Sequence, residues 1–247
     1  MDRPLTVSAR ELGTPEAAWL GCPQLAACPA LELGAPGRVV VIAPHPDDEV
    51  LGAGGLMRRL ARTGAAITVV AVTDGEASHP RSPTTPPARL AELRAAERAA
   101  ALVALGVDAE VIRLGIPDGG VANDALAARL APVIDRATLC LAPWERDGHP
   151  DHDATGRAAI AACASAGVRL LRYPVWAWHW ASPASDDLPW PRARRIALDA
   201  DTIAAKRAAI AAYRSQHAPL SAAAGDEPIL PAAVLARFER PFEVVLT

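Results

Sequence analysis

Apolar and polar positions alternate along this chain in two distinct periods. Short unbroken apolar runs, of which Val39-Val40-Val41-Ile42-Ala43 is the clearest, are separated by longer segments in which apolar residues recur every three to four positions. The runs predict strands over 38–43, 67–73, 109–114, 138–142, 169–176 and 194–198. The longer pattern predicts helices over 50–63, 88–105, 124–136, 152–166 and 201–214. Gly64 and Gly106 each stand directly past a predicted helix, where a C-terminal glycine is favoured. Strands that are apolar throughout, in alternation with helices, imply a doubly wound and mostly parallel sheet covered on both faces. Residues 1–37 carry prolines and short apolar pieces without a period, and read as an irregular extension packed on a domain over 38–247. The proline-bearing segment 78–87 can continue neither strand nor helix; it is a loop past the second strand, either a lid or a plain connector. Trp176, Trp178 and Trp180 alternate, which places them on one face of an extended segment. Core or interface packing is the first reading of these tryptophans, and an aromatic platform for a sugar is the second.

Composition narrows the function. With 51% hydrophobic residues in 247, the chain can bury a substantial core. Its net charge of −3 gives no footprint for nucleic acid, and the Arg192/Arg194/Arg195 group is too short to make one. The opening Met1-Asp2-Arg3-Pro4 lacks an apolar signal core, and no apolar stretch reaches spanning length without a charge or proline. A cytosolic protein without a membrane span is therefore expected, and homo-oligomerisation is left open. Cys22, Cys28, Cys140 and Cys163 lack metal-ribbon spacing, so Cys140 and Cys163 read as small buried thiols. A Cys22–Cys28 disulfide is not expected in a reducing compartment. His79 and His217 stand apart from any cluster and read as structural.

Two acid–histidine clusters carry the chemistry. Pro44-His45-Pro46-Asp47-Asp48-Glu49 follows the first strand, and His149-Pro150-Asp151-His152 closely follows the fourth. Carboxyl ends of parallel strands are where ligands bind in such folds. A catalytic zinc site needs three protein ligands and an open position. His45, Asp48 and one histidine of the later pair supply such a set, with zinc or another first-row ion as the metal. Metal-activated water attacks carbonyls, so the class is amide or ester hydrolysis. Asp47 is the candidate base, and the histidine that does not bind metal steadies the oxyanion. The glycines at 52–55 lack the dinucleotide spacing and follow an acidic loop, which disfavours a nucleotide-binding oxidoreductase; close helix–strand packing explains them better. Arg94 and Glu97, three apart on a helix, read by default as a surface ion pair.

The motifs resemble the PIG-L/LmbE-like zinc-dependent N-deacetylases over about 38–220. The resemblance rests on Pro44–Glu49, Leu51-Gly52-Ala53-Gly54-Gly55 and Thr73-Asp74-Gly75. It extends through Arg94, Glu97, Leu105 and Gly106, then Leu114-Gly115 with Pro117-Asp118-Gly119, His149–His152, and finally Lys206 with Ser215-Gln216. It implies a Rossmann-like three-layer α/β/α sandwich and one Zn²⁺ per chain held by His45, Asp48 and His152. It makes Asp47 the general base, His149 the residue that stabilises the tetrahedral intermediate, and Asp151 the residue that orients His149. Arg94 and Asp118 match positions near the substrate, and Asp74 joins them as a polar group for sugar hydroxyls. Some members carry a tyrosine two residues before the first histidine of the later motif, where this chain has Asp147. The activity implied is removal of the N-acetyl group from an N-acetylglucosamine-type sugar or its conjugate. An amidase acting on a larger N-acyl conjugate, and a non-catalytic carbohydrate-binding relic, are the alternatives.

Overall fold

The computed structural model describes residues 13–247. A seven-stranded sheet forms the middle layer: β1 (Arg38–Ala43), β2 (Ala66–Ala71), β3 (Ala109–Arg113), β4 (Leu139–Pro143), β5 (Arg169–Tyr173), β6 (Ala193–Ala197) and β7 (Phe242–Leu246). The order is β3-β2-β1-β4-β5-β7-β6, with β7 antiparallel to both neighbours and every other pairing parallel. The apolar runs alternate between two cores. Val39 and Val41 face one, while Val40 and Ile42 face the other, as a period of two requires.

The longer helices are α3 (Asp48–Arg62), α4 (Pro87–Leu105), α5 (Asn123–Ile134), α6 (Pro150–Ala166) and α8 (Ala200–Ala212). Leu56, Leu102, Leu105 and Ile210 place α3, α4 and α8 on the first core, whereas Leu126, Leu130, Ala158 and Ala162 place α5 and α6 on the second. This is the three-layer sandwich expected. Gly106 ends α4 in the left-handed region at φ 70°, the conformation a C-terminal glycine supplies without strain. The glycines of α3 allow close approach: a Cβ at position 52 would land on the Tyr173 ring of β5, and one at 55 on Leu198 and the Glu243 carboxylate of β7.

Three expectations need correction. β7 has no counterpart among the predicted strands, although all five of its residues are buried. The strand expected over 169–176 stops at Tyr173, and Ala177–Trp180 form a single helical turn, α7. The tryptophans therefore do not share one strand face. Trp178 packs edge-on against Trp19, while Trp176 and Trp180 are half-buried. Residues 1–12 of the expected extension lie outside the described residues. Within 13–37, two short helices form, α1 (Glu16–Leu20) and α2 (Pro23–Ala26), and Ala30 bridges to Arg195 of β6. The remaining short helices are α9 (Arg214–His217) and α10 (Ala232–Leu235). All four cysteines are free, and among the described residues no helix is long and apolar enough to cross a membrane.

Candidate active site

β1 and β4 are neighbours in the sheet, and the chain leaves them in opposite directions, to β2 on one side and β5 on the other. Such a switch point opens a crevice at the carboxyl ends of the strands. Both acid–histidine clusters sit there. The first forms the β1–α3 junction and the second the β4–α6 junction, where His149 caps α6 by accepting the Asp151 amide at Nδ1 (3.2 Å).

Three donor atoms form a triangle. His45 Nδ1 lies 3.2 Å from Asp48 Oδ2, His152 Nε2 lies 3.1 Å from the same oxygen, and the two nitrogens are 3.3 Å apart. Ligand bonds of about 2.0–2.1 Å at tetrahedral angles set neighbouring donors about 3.3 Å apart, so these atoms fit one face of a zinc coordination tetrahedron. The imidazole of His149 also lies near His45 and His152, and His45 Nε2 lies near Asp118 and Asp151. The triangle with Asp48 is the better-prepared set, because the far nitrogen of each imidazole already faces a carboxylate. His45 Nε2 lies 3.1 Å from Asp118 Oδ1 and 3.3 Å from Asp151 Oδ2, and His152 Nδ1 lies 2.7 Å from Asp147 Oδ2. Such partners fix the tautomer that leaves the ligating nitrogen unprotonated.

The electrostatics follow from burial and crowding. Burial opposes charge on His45, yet hydrogen bonds to Asp118, Asp151 and Asp48 raise its pKa well above the ordinary value. His152 also resists charging by burial, but Asp48 and Asp147 lift it to about 9. Asp48 is pulled the other way: burial is outweighed by the two imidazoles, and its pKa falls well below the usual carboxylate range. His149, desolvated beside two other imidazoles, drops to about 3 and is neutral at pH 7.

Asp47 is the one non-glycine residue at positive φ among those described, at φ 137° and ψ −30°. Conformations of this kind cost about 1–3 kcal/mol and persist where the surroundings over-determine them. Arg94 provides much of that restraint, since its guanidinium donates to Pro46 O (2.7 Å), Asp47 Oδ2 (3.2 Å) and Gly75 O (2.9 Å). Burial raises the Asp47 pKa to about 7 even though Arg94 opposes the shift. Beneath this loop, Glu49 accepts from Arg98 (2.8 Å) and Tyr213 (3.0 Å).

Several expected contacts turn out differently. The Asp151 carboxylate does not reach the His149 ring. It accepts from Gly119 N (2.7 Å) and Val121 N (3.2 Å) and faces His45, so only the Asp151 backbone touches His149. Arg94 lines the cleft, with its terminal nitrogens donating to Pro46, Asp47 and Gly75. Arg94 and Glu97 are buried and do not pair with each other; Glu97 accepts from Ser215 N (2.7 Å) and Ser215 Oγ (2.6 Å). Asp74 pairs with Arg113 at 2.9 Å and is not part of the cleft wall. Asp118 does line the cleft, but its two oxygens already engage His45 and the Ala77 amide. The 78–87 loop is tied through Thr84 Oγ1 to Asp226 (2.6 Å).

Asp147 is a buried carboxylate at the site, and motif reading gave it no role. It is fully buried and collects four donors: Val175 N and Ala177 N on Oδ1, Trp176 N and His152 Nδ1 on Oδ2, at 2.7–2.9 Å. Its signal in the sequence was an acid five residues before His152, just past a wholly apolar strand. The cleft above these groups has a cavity volume of about 90 Å³.

The family model described as PIG-L: GlcNAc-PI de-N-acetylase matches residues 40–163, which span both clusters. The chain belongs to the PIG-L family. A 1D-myo-inositol 2-acetamido-2-deoxy-alpha-D-glucopyranoside deacetylase of Mycobacterium sp. (strain KMS) is 29% identical over 72% of this chain and 74% of its own length. The protein of that name from Kineococcus radiotolerans is 31% identical over 53% of this chain, and the match covers 46% of that relative. Among solved structures, a conserved protein of Thermus thermophilus matches with a TM-score of 0.56 and 34% identity, over 72% of this chain and 79% of its own.

Proposed function

We propose that this PIG-L family protein is a zinc-dependent hydrolase that removes the acetyl group from an N-acetylglucosamine-type amino sugar or its conjugate. The observation that carries this reading is the His45–Asp48–His152 donor triangle with Asp47 beside it on the wall of one cleft. The inositol-linked amino sugar named for the Mycobacterium relative supports the substrate class.

His45, Asp48 and His152 would hold a divalent ion, which would supply Lewis acidity toward an amide carbonyl and water. Zinc suits two imidazoles and a carboxylate with tetrahedral spacing. Asp47 takes the proton of the attacking water and returns it to the leaving nitrogen; burial, which pushes its carboxyl up in the metal-free chain, makes it a more basic carboxylate for that role. His149 accepts the Asp151 amide at Nδ1, so its own proton resides on Nε2. That Nε2–H is the donor for the substrate oxygen as charge develops there, and the low pKa keeps the ring neutral throughout. Asp147 and the Asp118/Asp151 pair hold the two ligand imidazoles in register.

Acetate release from a panel of N-acetylglucosaminides, with zinc-loaded and chelator-stripped protein, tests the reading. Release that follows zinc content supports it. Protein carrying one zinc per chain that releases no acetate from any conjugate overturns it.

A further inference from the structure

The lining of the cleft is of two kinds. Beside His45, Asp47, Asp48, Asp118 and His149, it includes the apolar Leu51, Val175, Trp176, Ile229 and Leu230, with Ser78, Arg94 and Gln216 as the remaining polar members. The apolar wall is built rather than incidental. Asp147 gathers the amides of Val175 and Trp176, while Gln216 O accepts from both Ile229 N (2.9 Å) and Leu230 N (2.7 Å). Trp176 and Ile229 remain half-exposed and so present apolar surface to whatever occupies the cleft.

Charge decides what that occupant is. Among the described residues lining the cleft, Arg94 is the sole Lys or Arg; it is buried, and both its terminal nitrogens donate to Pro46, Asp47 and Gly75, with its charge paired to Asp47. No exposed guanidinium or ammonium therefore lines the cleft to pair with an anionic substituent, which would instead meet the carboxylates of Asp47 and Asp118. Like charge of this kind is how a site rejects a competitor. We propose that the cleft selects an N-acetyl amino sugar bearing an uncharged, apolar aglycone, packed against Trp176, Ile229 and Leu230. The inference rests on the deacetylase reading and adds the chemical class of the group attached to the sugar.

The test compares hexyl, methyl and carboxymethyl glycosides of N-acetylglucosamine as substrates for the zinc-loaded protein. The hexyl compound should exceed the methyl compound by about tenfold in kcat/KM, carried by KM, since burial of two methylenes already gives that factor. The carboxymethyl compound should fall about tenfold below the methyl one, on the scale of one charge pair at intermediate dielectric. Ile229→Arg should move the carboxymethyl-to-hexyl ratio about tenfold toward the anion by the same reasoning. Equal efficiency on all three glycosides overturns the inference. So does a preference for an N-hexanoyl over an N-acetyl group without a preference for the hexyl aglycone, because the wall then serves the acyl chain. Calorimetric binding of the deacetylated hexyl and methyl glucosaminides separates the two readings. Tighter hexyl binding without acetate release from any glycoside keeps the apolar wall and removes the deacetylase reading. Acetate release with no aglycone preference does the reverse.

Discussion

The β1–α3 and β4–α6 junctions each deliver one imidazole to the donor triangle, with opposite ring polarity and opposite means of support. His45 offers Nδ1 and is held through Nε2 by carboxylates from outside its junction, Asp118 of the loop after β3 and Asp151 in the first turn of α6. His152 offers Nε2 and is held through Nδ1 by Asp147 of its own loop. The first junction is strained at Asp47 and depends on Arg94 of α4 for restraint. The second is unstrained at its cap, His149 at φ −102°, and His149 and Asp147 satisfy amides of α6 and of the 175–177 segment. Under the mechanism proposed above, the difference is a division of labour: the strained junction positions the group that would move protons, and the relaxed one would provide a rigid ligand and a fixed donor.

Replacement of the base should separate metal binding from its use most sharply. Asp47→Asn keeps size and polarity but cannot accept a proton, so kcat should fall by about 10²–10⁴-fold while zinc content stays near one per chain. Asp47→Gly should lose the same activity and lower the melting temperature, because relief of about 1–3 kcal/mol of backbone strain is outweighed by about 3–5 kcal/mol for leaving the buried Arg94 without its carboxylate. Kinetics and metal analysis check the first, and thermal unfolding the second. Wild-type turnover in Asp47→Asn would remove the base assignment. On the opposite junction, His149→Ala should retain metal and lose about 10²–10³-fold in kcat, as deletion of one oxyanion donor does. A change in KM alone would show that His149 only binds substrate.

Much of this architecture is legible in the chain, and the failures have physical causes. β1 and β4 read as strands because five consecutive buried apolar residues in each leave no other placement. Both clusters then fall at strand ends by counting alone. β7 escaped because Phe242–Leu246 arrives after a long irregular stretch, and its slot between β5 and β6 is set by pairing partners remote in sequence. The Trp176–Trp180 alternation misled because Asp147 gathers the amides of residues 175, 176 and 177 on one carboxylate. Successive amides of a strand point in alternating directions, so three on one acceptor require a turn. Asp147 stood out only as a departure from the tyrosine some family members carry, and a buried carboxylate shows its place only once its donors are known.

Asp147 is therefore the residue whose loss should make the relaxed junction resemble the strained one. Asp147→Asn replaces one acceptor oxygen with a donor that faces the Trp176 amide or His152 Nδ1. Zinc affinity should drop by about 10–100-fold, as when the hydrogen-bond partner of a ligand histidine is removed. Chelator competition measures this directly. Stability should fall by about 1–3 kcal/mol for each buried amide left without an acceptor, read from denaturant unfolding of the metal-free protein. Unchanged zinc affinity together with lowered stability would reduce Asp147 to a loop anchor.

The smallest effect is the pH dependence of the metal-free chain, where both junctions contribute. The folded pKa of His152, about 9, lies above its unfolded value, so its contribution to stability is fully present below about pH 6.5 and is lost as pH rises through 9. His45 is raised as well and acts in the same direction. Asp47, raised to about 7, holds its proton longer when folded, which also makes stability fall as pH rises from about 4 to 7. His149, lowered to about 3, works against that: the folded state binds fewer protons than the unfolded one between about 3 and 6.5, so stability rises with pH there. These last two contributions offset each other below pH 6.5, whereas above it every remaining contribution is a loss. Unfolding midpoints of chelator-treated protein should accordingly be nearly level from about pH 5 to 6.5 and decline from about 6.5 to 9. Saturating zinc should flatten the decline, because the ion replaces the protons on both ligand imidazoles. A metal-free midpoint that stays level through about pH 9 would mean that the imidazoles of His45 and His152 are not held protonated by Asp48, Asp118 and Asp147, and the contrast between the two junctions would lose its electrostatic basis.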